Sequence, residues 1–238
     1  MLELKNISFQ AEDEKEILKD VSLKIDDKIV VITGPNGGGK STLAKVIAGI
    51  VTPTGGQILL DGEDITGYSV TERANAGISL AFQQPVRFKG LTVRDLITIA
   101  AGKELNVSEA CSYLSEVGLC AKDYIDRELN ASLSGGEIKR IEIATILARG
   151  SKFSIFDEPE AGIDLWSFQS LIRVFEKIQK EYKGTILIIS HQERILDIAD
   201  KIIYIKDGMV EQYGPKDEIL KTLINAAQPG CDVLMQKI

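Results

Sequence analysis

The chain has 238 residues, a formal net charge of −7 and a pI near 5.0. That length suits one large α/β domain that buries its own core, or such a core with a small insert. The acidic balance leaves no basic excess to neutralise phosphates, which argues against a nucleic-acid partner and against direct docking on an anionic membrane.

Residues 1–32 read as short alternating strands, Leu2 to Phe9, Val21 to Ile25 and Ile29 to Thr33. The opening MLELKNISFQ alternates and carries no basic segment followed by an apolar block, so no secretory signal is expected. Gly34 to Thr42 then read GPNGGGKST, between the apolar run Ile29-Val30-Val31-Ile32 and a helical pattern of Leu43, Ala44, Val46 and Ile47. A strand, a glycine loop and a helix form the setting in which G-x-x-x-x-G-K-[ST] cradles phosphates. Across Gly34, Asn36, Gly37, Gly38 and Gly39, with Pro35 in the loop but without an N–H of its own, the backbone N–H groups can converge on anionic oxygens, helped by the positive end of the following helix. Lys40 supplies a charge for the β- and γ-phosphates, the Ser41 hydroxyl is a magnesium ligand, and Thr42 closes the motif. A nucleoside triphosphate is the expected ligand.

Gln57-Ile58-Leu59-Leu60 is a further strand, ended by the hairpin signal Asp61-Gly62. From about Leu91 to Arg149 the periodicity becomes helical, with Leu96, Ile97, Ala100 and Ala101 on one stripe and Ala110, Leu114 and Val117 on another. Within this block, Leu133-Ser134-Gly135-Gly136-Glu137 precedes a helix and presents a hydroxyl and backbone N–H donors at its start, a second anion site. One chain rarely needs two γ-phosphate sites, so this one is expected to serve a nucleotide held by another copy. Strands return at Phe153 to Phe156, Thr185 to Ile189 and Ile202 to Ile205, with a helix between the first two carrying Leu165, Phe168, Leu171, Ile172, Phe175 and Ile178 on one face. This alternation predicts a mostly parallel sheet covered on both faces, a core of 1–90 and 150–238, and a helical insert over 91–149. Asp157 and Glu158 close the first of these strands, where ligand sites of parallel sheets lie; Asp157 is assigned to the magnesium shell and Glu158 to the attacking water.

No apolar run approaches the roughly 18 residues of a bilayer span. Three cysteines fit a reduced, cytoplasmic protein. Cys111 and Cys120 are placed on opposite faces of one helix, and Cys231 in a polar tail. With one histidine and no C-x-x-C, no metal site is readable from such ligands. Trp166, the only tryptophan, is assigned to helix packing.

GPNGGGKST, LSGGE and FDEP, in this order along the chain, resemble the ATP-binding cassette (ABC) ATPase family. The resemblance implies magnesium-dependent ATP hydrolysis by a head-to-tail dimer, with two ATP molecules held between the phosphate loop of one copy and Ser134, Gly135, Gly136 and Glu137 of the other. It also implies that Gln83 joins magnesium, water and partner, that Ala161-Gly162-Ile163-Asp164 is a dimer-contact loop, and that His191 is the switch residue at the γ-phosphate. Magnesium would be held by Ser41 and by Gln83 and Asp157, the last through water. Family members commonly stack an aromatic side chain on adenine; the aligned position here is Ala11, with Phe9 facing the core, a loss worth on the order of 1 kcal/mol or more.

Ala81-Phe82-Gln83-Gln84-Pro85-Val86, His191 to Asp197 and Ser134 to Arg140 further resemble the Suf-type iron–sulfur cluster assembly ATPase. That resemblance implies a soluble scaffold as partner, and the compact helical insert a reduced system with one partner type. Asp157-Glu158-Pro159-Glu160 departs from that family's usual continuation after the acids. Leu91 to Leu96 is similar instead to importer ATPases of the energy-coupling-factor type, whose partner is an integral membrane subunit.

Overall fold

A computed structural model describes residues 1–11, 14–84, 88–129, 133–181 and 183–227. The chain opens with β1 (Leu2–Gln10), β2 (Glu16–Ile25) and β3 (Ile29–Thr33), then α1 (Lys40–Ala48), β4 (Gly55–Leu60) and β5 (Glu63–Asp64). It continues with α2 (Val70–Ala76), β6 (Ile78–Ala81), α3 (Val93–Ala101), α4 (Val107–Glu116), α5 (Ala121–Tyr124) and α6 (Gly135–Arg149). The remainder is β7 (Phe153–Asp157), α7 (Leu165–Glu181), β8 (Thr185–Ile189), α8 (Glu193–Asp197), β9 (Lys201–Lys206), β10 (Met209–Pro215) and α9 (Lys216–Ala227).

Two sheets result. The first is antiparallel, in the order β2-β1-β4-β5, and the second runs β10-β9-β3-β8-β7-β6, parallel except for the β9–β10 hairpin. β3, β7 and β8 are buried at every position, as expected for parallel strands covered on both faces. Their residues alternate between two cores. Ile29, Val31, Ile186, Ile188 and Phe156 pack with α3, α4, α6 and α7, whereas Val30, Ile32, Leu187, Ile189 and Ile155 pack with α1 and the antiparallel sheet. A slip of one residue would exchange the two faces, so this alternation supports a single register.

Several expected elements differ. β6 and α2 are additional: β6 has only four residues, and Val70-Thr71-Glu72-Arg73-Ala74-Asn75-Ala76 carries no apolar stripe. The α2 start was nonetheless encoded, since Ser69 and Glu72 form a reciprocal capping box. Cys111 and Cys120 do not share a helix: Cys111 lies in α4, and Cys120 is the residue that caps α5 after the chain turns at Gly118 (φ 71°). Leu165 and Trp166, at the first turn of α7, are 63% and 76% exposed, so the apolar face of that helix begins at Phe168 and Trp166 does not pack against the helix's neighbours. Cys231, Pro85 and Val86 lie outside the described residues.

One buried cation organises the back of α1. Arg73, 1% exposed, donates to Val46 O at 2.6 Å, Ile47 O at 3.0 Å, Thr66 O at 2.7 Å and Tyr68 O at 3.2 Å. It thereby adds a donor to Val46 O, which also accepts the Gly49 N–H of the helix cap, and supplies one to Ile47 O at the C-terminal end of α1. Arg73→Met removes the Arg73 donor from Ile47 O, Thr66 O and Tyr68 O, while Val46 O keeps the Gly49 N–H, at a cost of about 3 kcal/mol, and should lower the thermal midpoint by roughly 6–12 °C for a domain of this size. An unchanged midpoint would remove Arg73 from this structural role.

Candidate functional site

The parallel ladder places four loops side by side. Val31 pairs with Ile188, Ile188 with Phe156 and Phe156 with Ala81, so β3, β8, β7 and β6 end nearly level. From that carboxyl edge emerge the phosphate loop after Thr33, Ser190-His191 after Ile189, Asp157-Glu158, and Phe82-Gln83 after Ala81.

The phosphate loop is a close-approach structure. Gly34 has φ 140°, and a Cβ there would lie 1.9 Å from Ile205 O of β9; at Gly39, φ 99°, it would lie 3.0 Å from Ile17 O. Only glycine meets both conditions without moving backbone. Lys40 begins α1, and its Nζ donates to Gly34 O and Pro35 O, each at 2.9 Å, folding the loop around the ammonium group. Burial lowers its proton affinity, while Glu158 and Asp157 partly restore it. A polyanion seated on the loop would stabilise that ammonium. Ser41 Oγ donates to Asp157 Oδ1 at 3.0 Å. Burial, with a contribution from neighbouring Glu158, pushes the Asp157 carboxyl above the usual carboxylate range. A divalent cation beside Ser41 and Asp157 would favour the ionised form, so the donor set fits hard-cation binding.

Glu158 adopts φ 45°, a left-handed conformation rare for a side chain of this size, and its N–H donates to Ile189 O at 3.0 Å. Its Oε2 accepts a hydrogen bond from Gln83 Nε2 at 2.5 Å. Glu158 also lines a cavity of about 500 Å³ with Asn36, Gly37, Gly39, Lys40, Ser41 and Thr42. The rest of its wall is Lys15, Glu16, Ile17, Lys19, Asp207 and Gly208, none of which the sequence singled out. Asp207-Gly208 was readable as a turn, but its approach to the phosphate loop, through the Gly208 N–H to Gly38 O bond of 3.2 Å, joins distant segments. Ala11 is not part of that wall; it sits in a turn where its N–H donates to Lys15 O, and Phe9 packs against the second core as expected.

His191 is exposed and follows Ser190, whose Oγ donates to Glu160 Oε1 at 2.5 Å. Glu160 Oε2 is buried with no hydrogen-bond partner, and burial pushes this carboxyl upward. Ser134 caps α6, accepting from Glu137 N at 3.3 Å, while Glu137 Oε2 accepts from Ser134 N at 2.7 Å. The Ser134 N–H is therefore committed to the cap, and the Ser134 hydroxyl also meets the Glu137 carboxylate, so in this conformation neither is free for an anion. This helix start packs on the Ala161–Asp164 loop of the same chain, for a Cβ on Gly135 would meet Gly162 O at 2.9 Å and one on Gly136 would meet Ser167 Oγ at 2.5 Å. Among the described residues no helix is long and apolar enough to cross a membrane.

Residues 18–161, more than half of the chain and including the phosphate loop, Gln83, Ser134–Glu137 and both acids, match the family described as ABC transporter. The chain belongs to that family. An uncharacterized ABC transporter ATP-binding protein of Methanocaldococcus jannaschii is 39% identical over 214 residues, 86% of this chain and 85% of the relative. A probable ATP-dependent transporter, ycf16, of Pyropia yezoensis is 35% identical, covering 90% of this chain and 91% of the relative. A dimeric ATP-binding cassette in a post-hydrolysis state bound to ADP and Pi superposes with a TM-score of 0.79 at 26% identity, over 91% of this chain and 99% of that one. A cassette of Clostridium perfringens described as part of the ABC transporter complex cbiONQ superposes with a TM-score of 0.78 at 27% identity, over 95% and 93% of the two chains. This ABC cassette is thus an α/β ATPase that binds ATP with magnesium, and a magnesium ion beside Ser41 and Asp157 would supply positive charge to the phosphates. These relatives carry transporter names, which support the narrower Suf-type expectation less than the membrane-transporter alternative.

Because Trp166 is exposed and is the only tryptophan, the free cassette should emit at long wavelength and be quenched by iodide almost as readily as free indole. A blue-shifted, quencher-protected emission from monomeric protein would contradict the exposed position.

Proposed function

We propose that this cassette is the ATP-driven motor subunit of a larger cytoplasmic complex, closing head to tail on ATP and reopening after hydrolysis to move a bound partner. The observation that carries this reading is the continuity from groove to chemistry. Phe82 lines an apolar groove with Phe88, Leu96, Ile99, Ile138 and Ile141, and the next residue, Gln83, touches Glu158. In this reading Lys40, Ser41 and Asp157 hold ATP and magnesium, with Gly34 to Gly39 and Thr42 around the phosphates. Glu158 accepts a proton from the attacking water, Gln83 orients it and joins the magnesium shell, and His191 contacts the γ-phosphate. Ser134, Gly135, Gly136 and Glu137 complete the nucleotide site of a second copy. The helical unit of 91–149 acts as the arm that moves on the core of 1–90 and 150–238. Each step requires different binding free energies for open and closed forms, since equal affinity shifts nothing.

The relatives' names support the membrane subunit of a transporter as the partner. A second reading, a soluble scaffold for iron–sulfur clusters, is supported by the Ala81–Gln84 and His191–Asp197 segments and by a cavity wall built from Ile17 and Lys15 instead of an aromatic ring. Native complex prepared without detergent under anaerobic conditions, then from solubilised membranes, separates the two. A detergent-dependent partner supports the transporter; a soluble partner carrying iron and sulfide, with ATPase activity raised in its complex, supports the scaffold.

Glu158→Gln should lower turnover by about 100-fold or more and accumulate an ATP-bound dimer in size-exclusion chromatography; wild-type hydrolysis would exclude Glu158 as the base. Ser134→Arg should abolish ATP-dependent dimerisation while leaving single-site ATP affinity within about threefold, because its effect falls on the partner's nucleotide. Loss of that affinity would contradict the in-trans role.

A further inference from the structure

The Gln83–Glu158 contact depends on where the chain leaves β6, and an ion pair on α6 fixes that point. Lys139, 2% exposed, donates from Nζ to Phe82 O at 2.5 Å and meets Glu142 Oε2 at 3.2 Å. Burial pushes the Glu142 carboxyl upward, Lys139 draws it down, and the Phe82 backbone N–H that faces it does so to a lesser degree. The Phe82 carbonyl is therefore held by Lys139 and its N–H faces Glu142, one pair of opposite charges a single turn apart on a helix capped by Ser134. Phe82 has no further freedom to rotate about these bonds without stranding a buried charge. Its neighbour Gln83 consequently leaves β6 in a fixed direction and reaches Glu158.

We propose that Lys139 and Glu142 are positioning residues for Gln83, locking the turn before it to the same helix whose N-terminus carries Ser134 and Gly135. Displacement of α6 relative to the sheet then carries Phe82 with it and changes how Gln83 meets Glu158. Glu142 and Phe82, but not Lys139, line the groove, so a bound partner acts on Gln83 through Glu142 and this clamp. That last consequence rests on the proposed docking in the groove; the positioning of Gln83 does not.

A double-mutant cycle on steady-state ATP hydrolysis by the full chain tests the assignment. K139M should lower kcat roughly tenfold or more, with KM for ATP changed less than about twofold, because a group displaced by an ångström loses rate more than binding. K139R should recover most of the loss. In a Q83A background, K139M should lower kcat by less than about twofold further, since the residue it positions is gone. An equal loss in both backgrounds, or no loss with Gln83 present, overturns the proposal. Should K139M fail to fold, E142Q is nearly isosteric and keeps an acceptor for the Phe82 N–H; the same cycle with E142Q must show the same dependence on Gln83, and additivity there overturns the proposal equally. Both cycles are run on the cassette without a partner, so their outcome bears on the clamp independently of docking in the groove.

Discussion

The register of the parallel ladder is the constraint on which the site depends. Val31, Ile188, Phe156 and Ala81 stand side by side on neighbouring strands, and a residue or two later each strand releases a loop carrying a polar group. Adjacent strands are about 4.8 Å apart, so Lys40, the Ser190-His191 segment, Asp157-Glu158 and Gln83 are brought together from positions spread over most of the chain. The apolar alternation of β3, β7 and β8 into two cores fixes that register by burial on both faces. The chemistry at the edge is a consequence of packing well away from it.

The second theme is buried charge. Lys40, Asp157, Lys139, Glu142 and Glu160 are withdrawn from water to different degrees, and burial biases Lys40, Asp157, Glu142 and Glu160 toward the neutral form. Such groups are costly to keep unless a partner restores the charge. For Lys139 and Glu142 the partner is internal, and the result is a fixed backbone at Phe82. For Lys40 and Asp157 the internal partners are loop carbonyls and one serine hydroxyl, an arrangement suited to polyphosphate and a divalent cation. Arg73 belongs with the first kind: its guanidinium is consumed by four backbone carbonyls and holds α1 at its far end.

How much was legible follows from the distance over which each signal acts. GPNGGGKST could be read because a phosphate loop is a local object, with strand, glycines, lysine and helix all within about twenty residues. β3 and β8 were readable to the residue from apolar, β-branched runs. β6 was not, because Ile78–Ala81 is too short to show a period and becomes a strand only by pairing with β7. α2 lacked an apolar stripe, since its anchor is the charged Arg73 side chain. Trp166 was misread because an aromatic residue at helical spacing normally packs, and only the position of the first turn of α7 leaves it in solvent. Cys111 and Cys120 were misread because the periodicity hid the turn at Gly118.

The sequence by itself determined the chemistry class and the architecture: nine consecutive residues specify phosphate binding, and buried strands alternating with helices specify a covered parallel sheet. Tertiary structure decided what those residues meet. It brought Lys15, Ile17 and Asp207 to the cavity beside the phosphate loop, committed the Ser134 N–H to its own helix cap, and tied Phe82, the residue before Gln83, to α6 through Lys139. The physical reason is range. Propensity, capping and glycine conformations act within a few residues along the chain, whereas desolvation and hydrogen bonding act between whatever groups the folded core forces together.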